Sequence, residues 1–238
     1  MNERDQRLHS VSITPLNQWE SIALDDHFKT HLMPWKGIAL QQPLGDHVFG
    51  YVLSGPARLT VQQRTYDLVA GMFFAGPPEM EISGGTGILI GGSGEAPIFL
   101  LGGPIEENGR LRYIDGCMDS LLIAPVSRGS ACLNALYFPK GTDQTMHTHP
   151  SVRVGLVVRG GGVCKCATDK MQLRVGDLVV IPPNAVHGFT TAETGMTVIA
   201  YHPDSNAGST DDDHVMLNGT IVDGVPASQI DSIRTQAS

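Results

Sequence analysis

GTDQTMHTHPSVRVGLVVRG, residues 141–160, opens on a glycine turn, places His147 and His149 two residues apart, and runs into an apolar strand pattern. In an extended chain, residues i and i+2 point to the same face. Two imidazoles therefore converge on one spot, a common beginning for a metal site. A second patterned stretch, GDLVVIPPNAVHGF, residues 176–189, carries a third histidine, His187, after a proline turn.

Working outward, a shift of 105 residues superimposes Gly55 on Gly160, Gly71 on Gly176 and Pro77-Pro78 on Pro182-Pro183. The apolar runs around these anchors also match, with slack of one residue. Shared anchors at one offset indicate two copies of one unit. The first copy keeps the turn residues and lacks the ligands: Gln42, Leu44, Val48 and Ile82 fall opposite His147, His149, Arg153 and His187.

The two histidine segments resemble the paired motifs of the cupin superfamily. The first motif is matched by Gly141, His147, His149 and Gly160, and the second by Gly176, Pro182, Asn184 and His187. The match spans roughly residues 130–202. It departs at one position, where the family usually has glutamate and this chain has Arg153. The resemblance implies an all-β protein built of two double-stranded β-helix (jelly-roll) barrels. The expected layout is an N-terminal arm (1–35), a degenerate barrel (36–104), a connector with room for a short helix (105–125), a metal-binding barrel (126–202) and a C-terminal tail (203–238) that either wraps the barrel or ends in a short helix around 227–235.

Composition agrees with that class. Twenty-eight glycines and 15 prolines punctuate short Val/Ile/Leu runs, the texture of a sandwich or barrel. A net charge of −8 and the lack of basic clusters argue against a nucleic-acid partner. No apolar run reaches membrane-span length, and the polar N-terminus lacks a signal-peptide core, so the expectation is no membrane partner and a cytoplasmic location. Sheet edges left over by a barrel pair make a homodimer the expected assembly. The Gly-rich stretch 84–94 lacks the Gly-Lys-Ser/Thr ending of a phosphate loop. The four cysteines read as free thiols, with Cys164 and Cys166 as packing residues or a thiol pair.

Three neutral imidazoles suit Fe(II), and equally Zn, Ni or Mn, and leave open positions for substrate or dioxygen. Arg153 cannot ligate. Three readings stay open for it: an anion clamp inside the barrel, an outward surface ion pair, or a residue that has abolished metal binding. The cupin resemblance then implies a non-haem Fe(II) dioxygenase acting on a small, anionic carboxylate or enolisable substrate, with His147, His149 and His187 as ligands; the residues themselves add Arg153, as an anion clamp, and Tyr201, at the end of the last strand, as catalytic candidates. The alternatives are a non-oxidative metal-dependent isomerase, cyclase or lyase, and a small-molecule-binding bicupin without turnover. Met146 and Phe189 are expected to flank an apolar pocket and His47 to lie at a surface or interface. His202, Asp204, Asp211–Asp213 and His214 form either a solvated acidic tail or a second metal site.

Overall fold

The computed structural model describes residues 10–18, 20–37, 45–95, 98–208 and 214–234. Alternating apolar residues between glycine and proline turns give strands almost throughout. The first half holds β1 (Ser12–Pro15), β2 (Ile22–Ala23), β3 (His31–Lys36), β4 (His47–Val61), β5 (Arg64–Leu68), β6 (Phe73–Gly76), β7 (Glu81–Gly92) and β8 (Leu100–Gly102). The second half holds β9 (Leu111–Arg112), β10 (Met118–Ile123), β11 (Cys132–Phe138), β12 (Arg153–Cys166), β13 (Lys170–Arg174), β14 (Asp177–Ile181), β15 (His187–Thr190) and β16 (Met196–His202). A small hairpin, β17 (Ile221–Val222) with β18 (Val225–Pro226), follows the helix α1 (Val215–Gly219).

All pairings are antiparallel, and the duplicated pattern is plain in them. β4 pairs with β5, β6 and β7 as β12 pairs with β13, β14, β15 and β16. β3 flanks β7 as β11 flanks β16. The outer partner of β6 is β8, whereas the outer partner of β14 is β1, reached from the other end of the chain.

Two expectations change here. The segment expected as an arm supplies β1 to the second sheet and β2 and β3 to the first. The segment expected as a connector with a helix contains only a 3-10 turn, Ile114–Gly116, and its strand β10 pairs with β11 as part of the second sheet. Likewise the tail around 227–235 forms 3-10 turns at Ala227–Gln229 and Asp231–Ile233 instead of a helix. In each case short local elements are held by pairing or packing with distant ones, which local periodicity cannot show.

Strand alternation divides the side chains into three cores. Phe49, Tyr51, Ile88 and Ile90 of the first unit pack against Leu133, Val154, Leu156, Ile199 and Tyr201 of the second, so the two sheets join through a continuous apolar layer. The opposite faces line the two barrel interiors. Comparing the interiors shows where they differ. Gly50 faces Phe74 and Gly87 faces Trp35, and a Cβ on either glycine would lie 2.1–2.2 Å from a ring or backbone atom. The matching pairs in the second barrel are Gly155 with Val179 and Val198 with Leu136. Two aromatic rings thus plug the first barrel where the second has aliphatic side chains.

Candidate metal centre

The turn glycines of the histidine segments are fixed by close backbone approach. A Cβ on Gly160 (φ 64°) would sit 1.8 Å from the Gly195 carbonyl oxygen, which no other residue permits. The stretch carrying His147 and His149 is not a regular strand as the spacing predicts. It is tied down at points: His147 and His187 exchange backbone hydrogen bonds of 2.9 Å, and the Asn184 amide donates to the His149 carbonyl at 2.7 Å. Asn184 reaches this position with φ 61° in the turn after β14, a conformation asparagine tolerates.

The result is a three-histidine cluster. One donor atom each from His147, His149 and His187 lies within 4.8 Å of the others, and no other such cluster occurs among the described residues. The His147 Nδ1 is 2.8 Å from the Thr145 carbonyl oxygen and the His187 Nδ1 is 2.9 Å from that of Ala185. Each ring therefore donates its Nδ1–H to a carbonyl, which leaves Nε2 as the free lone pair, the arrangement of metal-ligating histidines. Burial, with smaller contributions from Arg153 and the neighbouring rings, lowers the His149 pKa to about 3. Burial, only partly opposed by the Ala185 carbonyl, lowers that of His187 to about 4. Both rings are thus neutral near pH 7, the protonation state a metal requires. This donor set fits a divalent transition metal with open coordination positions.

The cluster forms one wall of a cavity of about 90 Å³ inside the second barrel. Leu136, Phe138, Val179, Ile181, Phe189 and Val198 make it apolar, and Arg153, Asp119, His202 and Tyr113 supply its polar side. Arg153 faces this interior and is 12% exposed. Its Nη1 donates to Asp204 at 2.9 Å, to the Ser151 hydroxyl and to the Val152 carbonyl. Its Nε has no partner among the described residues. The outward reading of Arg153 is therefore replaced by an inward one, with Asp204 as its counter-ion.

Tyr201 is a correction. It is 1% exposed and lies in the layer between the barrels, with its hydroxyl 3.2 Å from His47 Nε2 and its ring against Phe49. Along β16 it is Val198, Ala200 and His202 that face the cavity, so alternation turns Tyr201 away. His47 is the buried interface residue opposite it. His202, grouped by sequence with the acidic tail, lines the cavity with its ring 6.5 Å from His149, outside the ligand cluster. Asp204 serves Arg153. Asp211–Asp213 lie outside the described residues, and His214 caps α1 by accepting from the Met216 amide at 3.2 Å. Phe189 lines the cavity, whereas Met146 is 37% exposed and does not. Cys164 and Cys166 pack against the barrel core with their sulfurs 3.9 Å apart, and burial raises both thiol pKa values, which marks unreactive packing residues.

Asp119 is the residue the sequence did not reveal. It lies on β10 opposite Leu136 and is part of the cavity lining. One carboxylate oxygen, Oδ2, accepts from Asn134 Nδ2 at 2.7 Å, and the other, Oδ1, has no hydrogen-bond partner among the described residues. Burial raises its pKa against the opposing effects of Asn134 and the Ser120 amide.

The register also refines the degenerate site. Leu59 pairs with Ile82 where Cys164 pairs with Phe189, so Ile82 corresponds to Phe189. Extending the same pairing brings Met80 level with His187. Val48 matches Arg153, and Gln42 and Leu44 lie outside the described residues. Among the described residues the first barrel has an apolar or glycine residue at each matching position, and its interior is filled.

Comparison with known proteins agrees with this architecture. A cupin domain family model matches residues 136–201. No curated protein matches the sequence significantly. Among solved structures, protein Ylba from E. coli is 16% identical with a TM-score of 0.59, covering 88% of this chain and 100% of its own. A putative glyoxylate-induced protein from Pseudomonas aeruginosa is 13% identical with a TM-score of 0.65, covering 85% and 91%. Salicylate 1,2-dioxygenase from Pseudaminobacter salicylatoxidans is 12% identical with a TM-score of 0.53, covering 73% and 70%. The second barrel, residues 136–201, thus matches the cupin domain family, and the chain as a whole shares its two-barrel fold with these structures.

Proposed function

We propose that the second barrel is the iron centre of a non-haem dioxygenase acting on a small carboxylate or enolisable substrate. The observation that carries this reading is the all-histidine cluster facing an apolar cavity that also admits Arg153. Three neutral ligands leave the full charge of a divalent ion in place, Asp204 offsets Arg153, and the site stays net positive even with Asp119 ionised, so an anionic substrate is favoured electrostatically. A bound ferrous ion would supply dioxygen binding and activation. The chain's own residues do the rest. Thr145 and Ala185 orient two ligand rings, the Asp204–Ser151 pair holds Arg153 inside the barrel, and the aliphatic wall excludes water from the reacting group. The structural likeness to salicylate 1,2-dioxygenase supports the fold and suggests aromatic hydroxy acids among the compounds to try.

The test is metal content and oxygen uptake, wild type beside His149→Ala. The reading expects near-stoichiometric iron and uptake with salicylate, gentisate or another small acid, both lost in the variant. Oxygen uptake retained at full rate by His149→Ala sinks it. A second reading, a non-oxidative metal-dependent isomerase, cyclase or lyase, is favoured by the presence of a carboxyl, Asp119, in the lining of the same cavity. Turnover that survives replacement of iron by zinc would select it.

A further inference from the structure

The loop that leads into His147 is held mostly by its own barrel. The Thr191 amide donates to the Thr142 carbonyl at 3.0 Å, the Gln144 amide to the Phe189 carbonyl at 2.9 Å, and Lys165 Nζ to the Gln144 carbonyl at 2.9 Å. His147 is pinned next, by its exchange of backbone bonds with His187. Between these points lie Thr145 and Met146. The tie on Thr145 comes from an earlier part of the chain: its amide donates to Asp115 Oδ2 at 2.7 Å, across 30 residues of sequence. Thr145 is also the residue whose carbonyl lies 2.8 Å from His147 Nδ1 and so turns the free nitrogen of that ring toward the cluster.

The mount for Asp115 is stiff. It sits in the turn between β9 and β10 with φ 54° and ψ 37°, a left-handed conformation that aspartate tolerates. The Tyr113 amide donates to the Cys117 carbonyl at 2.9 Å and the Cys117 amide to the Ile114 carbonyl at 3.0 Å, which closes the turn on itself. Cys117 is buried in the core of the second barrel, and Tyr113 lines the cavity. The Asp115 carboxyl is exposed, and the Thr145 amide, with the Thr145 hydroxyl adding to it, holds its pKa below the usual carboxylate range.

Resting on the reading of the three histidines as a metal centre, we propose that Asp115 is a positioning residue for that metal. It fixes Thr145, and Thr145 fixes the His147 ring. The turn before β10 thereby tunes the affinity of a site whose ligands all lie further along the chain. Loss of a group that orients a ligand histidine typically costs about 10- to 100-fold in metal affinity. Asp115 acts one residue further out, so a loss near the lower end, about tenfold, is expected.

The experiment is titration of the full chain with zinc against a competing chelator, beside thermal unfolding of the metal-free protein. Wild type, Asp115→Asn, Asp115→Gly and Asp115→Ala are compared. Asparagine keeps an acceptor oxygen for the Thr145 amide and tolerates the left-handed backbone. Glycine and alanine both remove the acceptor. Glycine frees the backbone at this position and alanine strains it, so a loss common to both belongs to the carboxyl. Zinc affinity should fall by about tenfold in Asp115→Gly and Asp115→Ala and stay within about threefold of wild type in Asp115→Asn. Equal affinity in all four proteins overturns the proposal. So does an equal loss in all three variants, which would assign the effect to the charge alone. A loss confined to a variant whose metal-free Tm has also dropped overturns it too, because the fold and not the ligand is then what weakened. A wild type that takes up no zinc removes the metal reading and the proposal with it, an outcome distinct from zinc bound equally by all four.

Discussion

Replacing Val179 by phenylalanine should convert the second barrel into a copy of the first. Val179 faces Gly155 across the β12–β14 pair, as Phe74 faces Gly50. In the first barrel the Phe74 ring occupies the space a Cβ on Gly50 would need. Gly155 offers the same freedom, since its nearest neighbours to an added Cβ are Val198 at 3.0 Å and Val179 at 3.7 Å. The new ring would extend into the cavity of about 90 Å³. At about 24 cal/mol per Å³, an empty apolar cavity of that size costs about 2 kcal/mol. Filling it should stabilise the metal-free protein by up to about 2 kcal/mol, or raise Tm by about 4–8 °C for a chain of this length. Water held by the polar side lowers the gain. Small-acid binding should be lost. The assays are thermal unfolding of the metal-free protein and titration with salicylate. A variant that binds salicylate as wild type does would refute the placement of the ligand site. One destabilised by more than about 2 kcal/mol would show that the cavity cannot accept the ring.

Two further perturbations probe the charges. In the metal-free protein, His149, His187 and His202 have pKa values near 3, 4 and 3, mainly through burial. The unfolded chain takes up their protons as pH falls through about 6.5 and the folded chain does not, so stability is lost as pH falls from 6.5 towards 4. The slope should approach about 1.4 kcal/mol per pH unit per histidine, and His202→Asn should reduce it by one histidine's share. Denaturant unfolding between pH 7 and 4.5 reads this, and a flat profile in that window would contradict it. Asp204→Asn removes the counter-ion of a guanidinium that is 12% exposed. A cost of about 1–3 kcal/mol is expected, reduced when Arg153→Gln is added, because the uncompensated charge is then gone. A loss below about 0.5 kcal/mol would place the pair among ordinary surface ion pairs.

The ligand histidines were legible because turn residues flank them at a recognisable spacing, although their convergence comes from point contacts with His187 and Asn184 and not from strand alternation. So was the duplication, because Gly55/Gly160 and Gly71/Gly176 mark the same turns. What escaped depends on register. β12 has an irregularity between Val157 and Arg159 where it pairs with β16, and six more residues separate the matching positions in the second unit than in the first by the time β16 is reached. Which of Tyr201 and His202 faces inward therefore could not be counted from the motif. Asp119 lies in a stretch, MDSLLI, whose alternation is broken between Leu121 and Ile123 and which reads as a strand only once its pairing with β11 is seen. The emptiness of one barrel and the fullness of the other rests on cross-strand partners, Trp35 with Gly87 and Phe74 with Gly50, that no local pattern predicts.

The pairing of Ser12–Pro15 with Asp177–Val180 bears on how the chain can be made and cut. Strand β14 carries Val179 and Ile181 of the cavity wall, and its outer edge is covered by residues synthesised some 165 positions earlier. On the ribosome the first unit can close with β2 through β8, while β1 must wait, unpaired, until β14 has emerged. Long-range pairing of this kind is slow and leaves strand edges exposed in the meantime. A fragment beginning at the second barrel would lack one strand of its own sheet, and removing the first 15 residues would uncover the barrel that holds the histidines before disturbing the one that follows the cut.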